Sequence, residues 1–141
     1  QFIAERRGVK FYDDSSATTP SRSIAGIRSF SAPVVLIAGG SSKKLSFESL
    51  GEVIAERVKS TVLVGHTACE IQSAVEKAEK KLGRKARTVM AGDFDEAVHA
   101  AFLEASPGDV VLLSPACASF DFFRNYKARG ERFKELVKGI R

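Results

Sequence analysis

Val110-Val111-Leu112-Leu113-Ser114-Pro115-Ala116-Cys117-Ala118-Ser119, continued by Phe120-Asp121-Phe122-Phe123-Arg124-Asn125-Tyr126, decides how the rest of the chain is read. Four successive apolar residues make the short run expected of a buried strand, and Ser114-Pro115 ends it. Small residues then lead into a helix predicted to begin near Ser119. Such a junction turns amide N–H groups and a hydroxyl outward, where orphan donors and the helix dipole favour an anion. A simpler role for Ser119 is to cap that helix.

Working outward, Val34-Val35-Leu36-Ile37-Ala38 is a second continuous apolar run, and it ends at Gly39-Gly40. That is the pattern of a parallel strand covered on both faces. Behind the loop Ser41-Ser42-Lys43-Lys44, the residues Phe47, Leu50, Ile54 and Val58 recur at helical spacing. Thr61 to Val64 and Thr88 to Met90 read as further strands. Thr67 with Glu70 and Asp93 with Glu96 read as capping boxes of two helices, the first closed by Gly83. A last helix carries Phe122, Tyr126, Phe133, Leu136 and Ile140, with a break expected at Gly130. At the start, Phe2 to Ala4 and Val9 to Tyr12 flank Arg7-Gly8 as a short hairpin. The polar stretch from Asp13 to Pro20 is a surface loop, and Ser21 to Phe30 a modest helix.

Strands alternating with helices imply right-handed βαβ units: an α/β domain with a mostly parallel sheet, helices on both faces and an N-terminal hairpin. Ligands in such folds bind beyond the carboxyl ends of the strands. Two polar loops lie there, Gly39 to Lys44 and Ser114 to Ser119. In the first, the amides and Lys43 could hold a phosphate or carboxylate, although glycines after a strand also make ordinary tight turns. The loop has neither the spacing of a P-loop nor that of a dinucleotide fingerprint. Asp14 and Thr18 either face a ligand or satisfy their own backbone in Asx and ST turns.

The 141 residues amount to one domain, and 44% hydrophobic with 28% charged residues is ordinary for a globular protein. A net charge of +5 suits anionic ligands, but most of the Lys and Arg fall on helix faces, as in a solvated basic surface. No aromatic-interleaved basic stripe is present, so no nucleic-acid partner is expected. No apolar run is long enough to span a bilayer, so no membrane association is expected. Cys69 and Cys117 make neither a disulfide framework nor a zinc site, which fits a reducing cytoplasm. Cys117 reads as a small buried residue, and His66 and His99 lack partners at ligand spacing. The chain opens at Gln1 in strand-like sequence without Met, and reads as a piece of a longer protein.

Three segments resemble the Mur ligases of peptidoglycan synthesis, specifically the branch that adds D-glutamate. Tyr12-Asp13-Asp14-Ser15-Ser16-Ala17-Thr18-Thr19-Pro20 is similar to that branch's Asn-Asp-Ser-Lys-Ala-Thr-Asn loop, with Ser16 standing where the family has lysine. Ile37-Ala38-Gly39-Gly40-Ser41-Ser42-Lys43 resembles its Gly-Gly-x-x-Lys loop. Leu113 to Phe123, with Asn125-Tyr126 and Arg129-Gly130, resembles its C-terminal signature. The resemblance implies the third of three domains, with a dinucleotide-binding-like fold, in a cytoplasmic, monomeric enzyme. It implies ATP-dependent ligation of D-glutamate to UDP-N-acetylmuramoyl-L-alanine through an acyl phosphate. ATP and magnesium would be held mainly by the central domain, so residues 1–141 alone would be inactive. Carried over by position, Lys43 would pair with a D-glutamate carboxylate, Thr18 and Ser119 would hydrogen-bond it, Tyr126 would wall the pocket, and Asp14 would meet the ATP ribose. The alternatives are a related ligase for another amino acid and a free-standing module that binds an anionic metabolite.

Overall fold

Alternating strands and helices build one six-stranded sheet in the computed structural model, which describes residues 1–41, 45–119 and 122–141. The strands are β1 (Phe2–Arg6), β2 (Val9–Asp13), β3 (Val34–Ala38), β4 (Val58–Leu63), β5 (Arg87–Met90) and β6 (Val110–Leu113). The helices are α1 (Pro20–Arg28), α2 (Glu48–Arg57), α3 (Ala68–Leu82), α4 (Phe94–Glu104) and α5 (Tyr126–Lys138). Strand order is β1-β2-β6-β3-β4-β5. Only β1 runs antiparallel to its neighbour; the other pairings are parallel. The predicted mostly parallel sheet and N-terminal hairpin are therefore both present.

Side chains of β3 alternate between two cores, as the period of a strand requires. Val34, Leu36 and Ala38 pack with Leu50, Ile54, Ile71 and Val75, on the side of α2 and α3. Val35 and Ile37 pack with Val98, Phe94, Phe133 and Val137, on the side of α4 and α5. Each face of the strand is thus sealed from water, which explains its unbroken apolar sequence.

Helix ends follow the sequence in part. Asp93 caps α4 through the amide of Glu96 at 2.8 Å, and the Glu96 carboxylate accepts the amide of Gly92. Gly83 closes α3 in the left-handed conformation. Thr67, predicted to cap α3, makes no side-chain cap bond, because its hydroxyl is used elsewhere. The last helix begins at Tyr126 rather than near Ser119, capped by the side chain of Asn125 on the amide of Ala128 at 2.9 Å. Ser119 is therefore not its cap. Asn125 outcompetes it because extended backbone at φ −163° and ψ 173° aims its carbonyl oxygen at the first helical turn. The helix also runs unbroken through Gly130. Buried Arg129 before that glycine and Phe133 and Val137 after it hold the helix against the core.

At the amino end of the sheet, Arg87 and Ser60 hydrogen-bond Glu104 and hold its carboxyl below the usual carboxylate range. A carboxyl with a lowered folded pKa contributes stability above its unfolded value and loses it as pH falls through the folded one. The stability difference between wild type and Glu104→Gln should be full above about pH 5 and shrink below about pH 4, read from thermal melts across that range. A methyl at Gly51 would sit 2.6 Å from the backbone of Ala74, where α2 crosses α3. Helix propensity favours alanine by about 1 kcal/mol, but overpacking costs about 1–3 kcal/mol. Gly51→Ala should accordingly lower the denaturation midpoint, and an unchanged or raised midpoint would contradict that close crossing.

Candidate functional site

After β3 the chain turns to α2 on one face, and after β6 it leads to α5 on the other. Two adjacent strands whose connections part in this way form a crevice at their carboxyl ends, the usual seat of a ligand in an open α/β sheet. The described part of the first loop singled out in the sequence, Gly39 to Ser41, and the second, Ser114 to Ser119, flank that crevice.

They are joined residue by residue. Gly39 donates its amide to Pro115 at 2.9 Å and Ser41 donates to Ala118 at 2.8 Å, so that Ser41 and Ala118 form an antiparallel bridge. A Cβ at Gly39 would lie 1.9 Å from the carbonyl oxygen of Val64, and one at Gly40 would lie 2.2 Å from that of Ala118. Only glycine lets the backbones approach so closely. These glycines are needed for the junction between loops, beyond the turn itself.

The loop from β2 to α1 joins the same knot. Ala116, at φ 64°, donates to the carbonyl of Ala17 at 2.9 Å. A left-handed alanine persists only where its surroundings over-determine it, and here every residue from Ser114 to Ala118 is tied to another segment. The Ser114 hydroxyl donates to Asp14 at 2.8 Å, and its carbonyl accepts from Ser23 at 3.0 Å. The Cys117 carbonyl accepts from the Arg129 guanidinium at 3.0 Å.

The predicted site residues fall as follows. Asp14 is half-buried, with one carboxylate oxygen engaged by Ser114; the Asx turn is made instead by Asp13, which accepts the amide of Ser15. Thr18 is half-buried, one residue beyond the Ala17 carbonyl that receives Ala116. Ser119 is 2% exposed, and its hydroxyl has no hydrogen-bond partner among the described residues. A buried hydroxyl without a partner carries a desolvation cost that a polar ligand would relieve. Tyr126 is exposed and borders, with Asp14, Ser15 and Ser16, a cavity of about 380 Å³. Lys43 lies outside the described residues, two positions beyond the bridge at Ser41. The fold brings the loops bearing Asp14, Thr18 and Ser119 together and seats Tyr126 beside Asp14.

Two residues not among the predicted site residues help to hold the crevice together. Arg129 is 3% exposed and spans the loops, donating to the carbonyls of Ser15 at 3.2 Å and Cys117. Thr67, on the loop after β4, is 1% exposed and contacts both Gly40 and Cys117. Arg129 lies four residues before Phe133 and so shares its helix face, a sign of burial but not of what the guanidinium would bond, and the threonine is masked by its capping pattern. A cavity of about 730 Å³ between α2 and α3 is a helix-to-helix groove lined by Phe47, Glu52, Lys77 and Lys81 and does not include the crevice. Among the described residues no group of three or more His, Cys, Asp or Glu side chains is placed to hold a metal ion. Among them, too, no helix is long and apolar enough to cross a membrane.

Crevice and topology together define an α/β domain of mostly parallel sheet with a crevice at its switch point, where such folds seat ligands. The profile of the family described as Mur ligase, glutamate ligase domain, matches residues 1–117. The chain belongs to this Mur ligase family. It is 47% identical over 99% of its length to UDP-N-acetylmuramoylalanine--D-glutamate ligase of Acetivibrio thermocellus, and 45% identical over 99% to the protein of the same name in Clostridium novyi. It spans 30% and 31% of those two relatives. A murein peptide ligase from Psychrobacter arcticus shares its fold, with a TM-score of 0.65 at 10% identity over 100% of this chain and 30% of that one. UDP-N-acetylmuramoyl-L-alanyl-D-glutamate--2,6-diaminopimelate ligase does so too, with a TM-score of 0.57 at 18% identity over 80% of this chain and 25% of that one.

Removing the buried guanidinium should loosen the knot. Each hydrogen bond to a charged group contributes about 1.5–3 kcal/mol, so Arg129→Met, which removes both, should lower unfolding free energy by about 3–6 kcal/mol. Amide exchange should accelerate at residues 15–18 and 115–119. Unchanged exchange in both loops would show that Arg129 does not hold them.

Proposed function

We propose that this chain is the amino-acid-delivering domain of a longer ATP-dependent ligase that joins D-glutamate to UDP-N-acetylmuramoyl-L-alanine during peptidoglycan synthesis. The observation that carries this reading is 44–47% identity, along 99% of the chain, to proteins named as that ligase. The geometry is consistent with it. A small diacid needs a cationic donor with fixed neutral donors around it, and the joined loops bear Thr18, Ser119 and, two residues past Ser41, Lys43. The unpartnered Ser119 hydroxyl would donate to a carboxylate, and Tyr126 would wall the pocket.

Asp14 suits the nucleotide side. With one oxygen engaged by Ser114, the other can accept from a ribose hydroxyl. ATP, when bound, supplies the phosphoryl group that activates the substrate carboxylate as an acyl phosphate. This chain's part is to hold the amine of D-glutamate in line with that carbonyl, and the gain is one of proximity and orientation. Magnesium and the triphosphate would be held by another part of the enzyme. The full-length protein would act as a cytoplasmic monomer, without nucleic acid or membrane.

In the full-length enzyme, Ser119→Ala should raise the KM for D-glutamate about tenfold with little change in the KM for ATP, the loss of one hydrogen bond to a charged group. A D-glutamate KM equal to wild type would remove Ser119 from the site. Residues 1–141 alone should release no ADP and form no amide. Wild-type enzyme that ligates another amino acid in preference to D-glutamate would overturn the substrate assignment.

A further inference from the structure

We infer that Thr67 is a positioning residue for the amino-acid site, setting through its hydroxyl the distance between the loop that leads to Lys43 and the loop that carries Ser119. This inference rests on the reading that those two loops hold the amino acid. Thr67 lies on neither loop, and it precedes α3 as a cap residue would. Yet its side chain turns away from its own helix. The hydroxyl accepts the amide of Gly40 at 3.1 Å, and it lies 3.3 Å from the Gly40 carbonyl oxygen and 3.2 Å from the sulfur of Cys117.

A hydroxyl has one proton to donate and two lone pairs to accept with. The Gly40 amide takes one lone pair, the Cys117 thiol can take the other, and the threonine proton points to the Gly40 carbonyl. That carbonyl also receives the backbone amide of Thr67 at 3.2 Å. All the hydrogen-bonding capacity of the side chain is therefore directed at one peptide of the β3 loop and one residue of the β6 loop. On its other side Gly40 faces the Ala118 carbonyl so closely that a Cβ there would lie 2.2 Å from its oxygen. Ser41 and Ala118, the bridged pair, follow Gly40 and Cys117 directly. Thr67 thus anchors the two loops at their base, three residues before Lys43 and two before Ser119.

Thr67→Val preserves shape and burial and removes the hydroxyl; Thr67→Ser keeps the hydroxyl. In the full-length ligase, Thr67→Val should raise the KM for D-glutamate about tenfold while kcat and the KM for ATP stay within about twofold, and Thr67→Ser should stay within about twofold of wild type throughout. A side chain that only supports the fold would lower Tm and leave the D-glutamate KM unmoved. That outcome, in a folded Thr67→Val protein, overturns the inference. Should Thr67→Val fail to fold, Thr67→Cys, a weaker acceptor at the same place, must raise the D-glutamate KM at least threefold, and an unchanged value overturns the inference equally. Wild-type enzyme without D-glutamate activity overturns the proposed function, and this inference with it. Activity in wild type with a normal KM in Thr67→Val or Thr67→Cys overturns this inference alone.

Discussion

The join between Gly39-Gly40-Ser41 and Pro115 to Ala118 is the constraint on which the rest of the site depends. Two parallel strands side by side deliver their chains to opposite faces of the sheet, so their first loop residues would separate unless something held them. Backbone hydrogen bonds from Gly39 and Ser41 do so, and glycine is needed at both positions: a Cβ at Gly40 would strike the Ala118 carbonyl and one at Gly39 the Val64 carbonyl of the next strand's loop. Once that join exists, Ser119 is buried beside it with an unused hydroxyl.

Around this join the domain adds polar groups where an ordinary core would add apolar ones. Ser23, Thr67, Ser114 and Arg129 are all buried, and each of them ties a loop at this end of the sheet to another segment. In a low-dielectric setting such bonds are directional and costly to leave unmade, so they fix geometry more tightly than packing does. The left-handed Ala116 shows the same control exerted on the backbone. Rigidity of this kind suits a domain whose proposed task is to present an amine at a set place and angle.

Composition and periodicity made most of the architecture legible. The apolar runs at Val34 and Val110, the glycines that end them and the helical spacing between them are local features, and local features survive in a one-dimensional reading. Arg7-Gly8, Gly83 and the Asp93-Glu96 pair were read correctly for the same reason. The end of the chain was misread because Ser119 and Asn125 are both good caps, and the choice between them depends on which backbone is extended and free to reach the first turn. Thr67 was misread because a capping pattern names a residue's options without naming its competitors.

The sequence by itself determined which segments are strands, that the sheet is mostly parallel with a hairpin at its edge, and that two polar loops stand at the ends of two buried strands. It also carried the likeness to the Mur ligases in residues that lie far apart along the chain. Only the tertiary structure decided that β6 inserts between β2 and β3, and so that Asp14, Thr18 and Ser119 sit on loops tied to one another. Strand order depends on which apolar faces pack together across long separations, information that no local pattern holds. The same is true of Thr67 and Arg129: their hydrogen-bond partners lie 27 to 50 and 12 to 114 positions away, and folding alone brings them within reach.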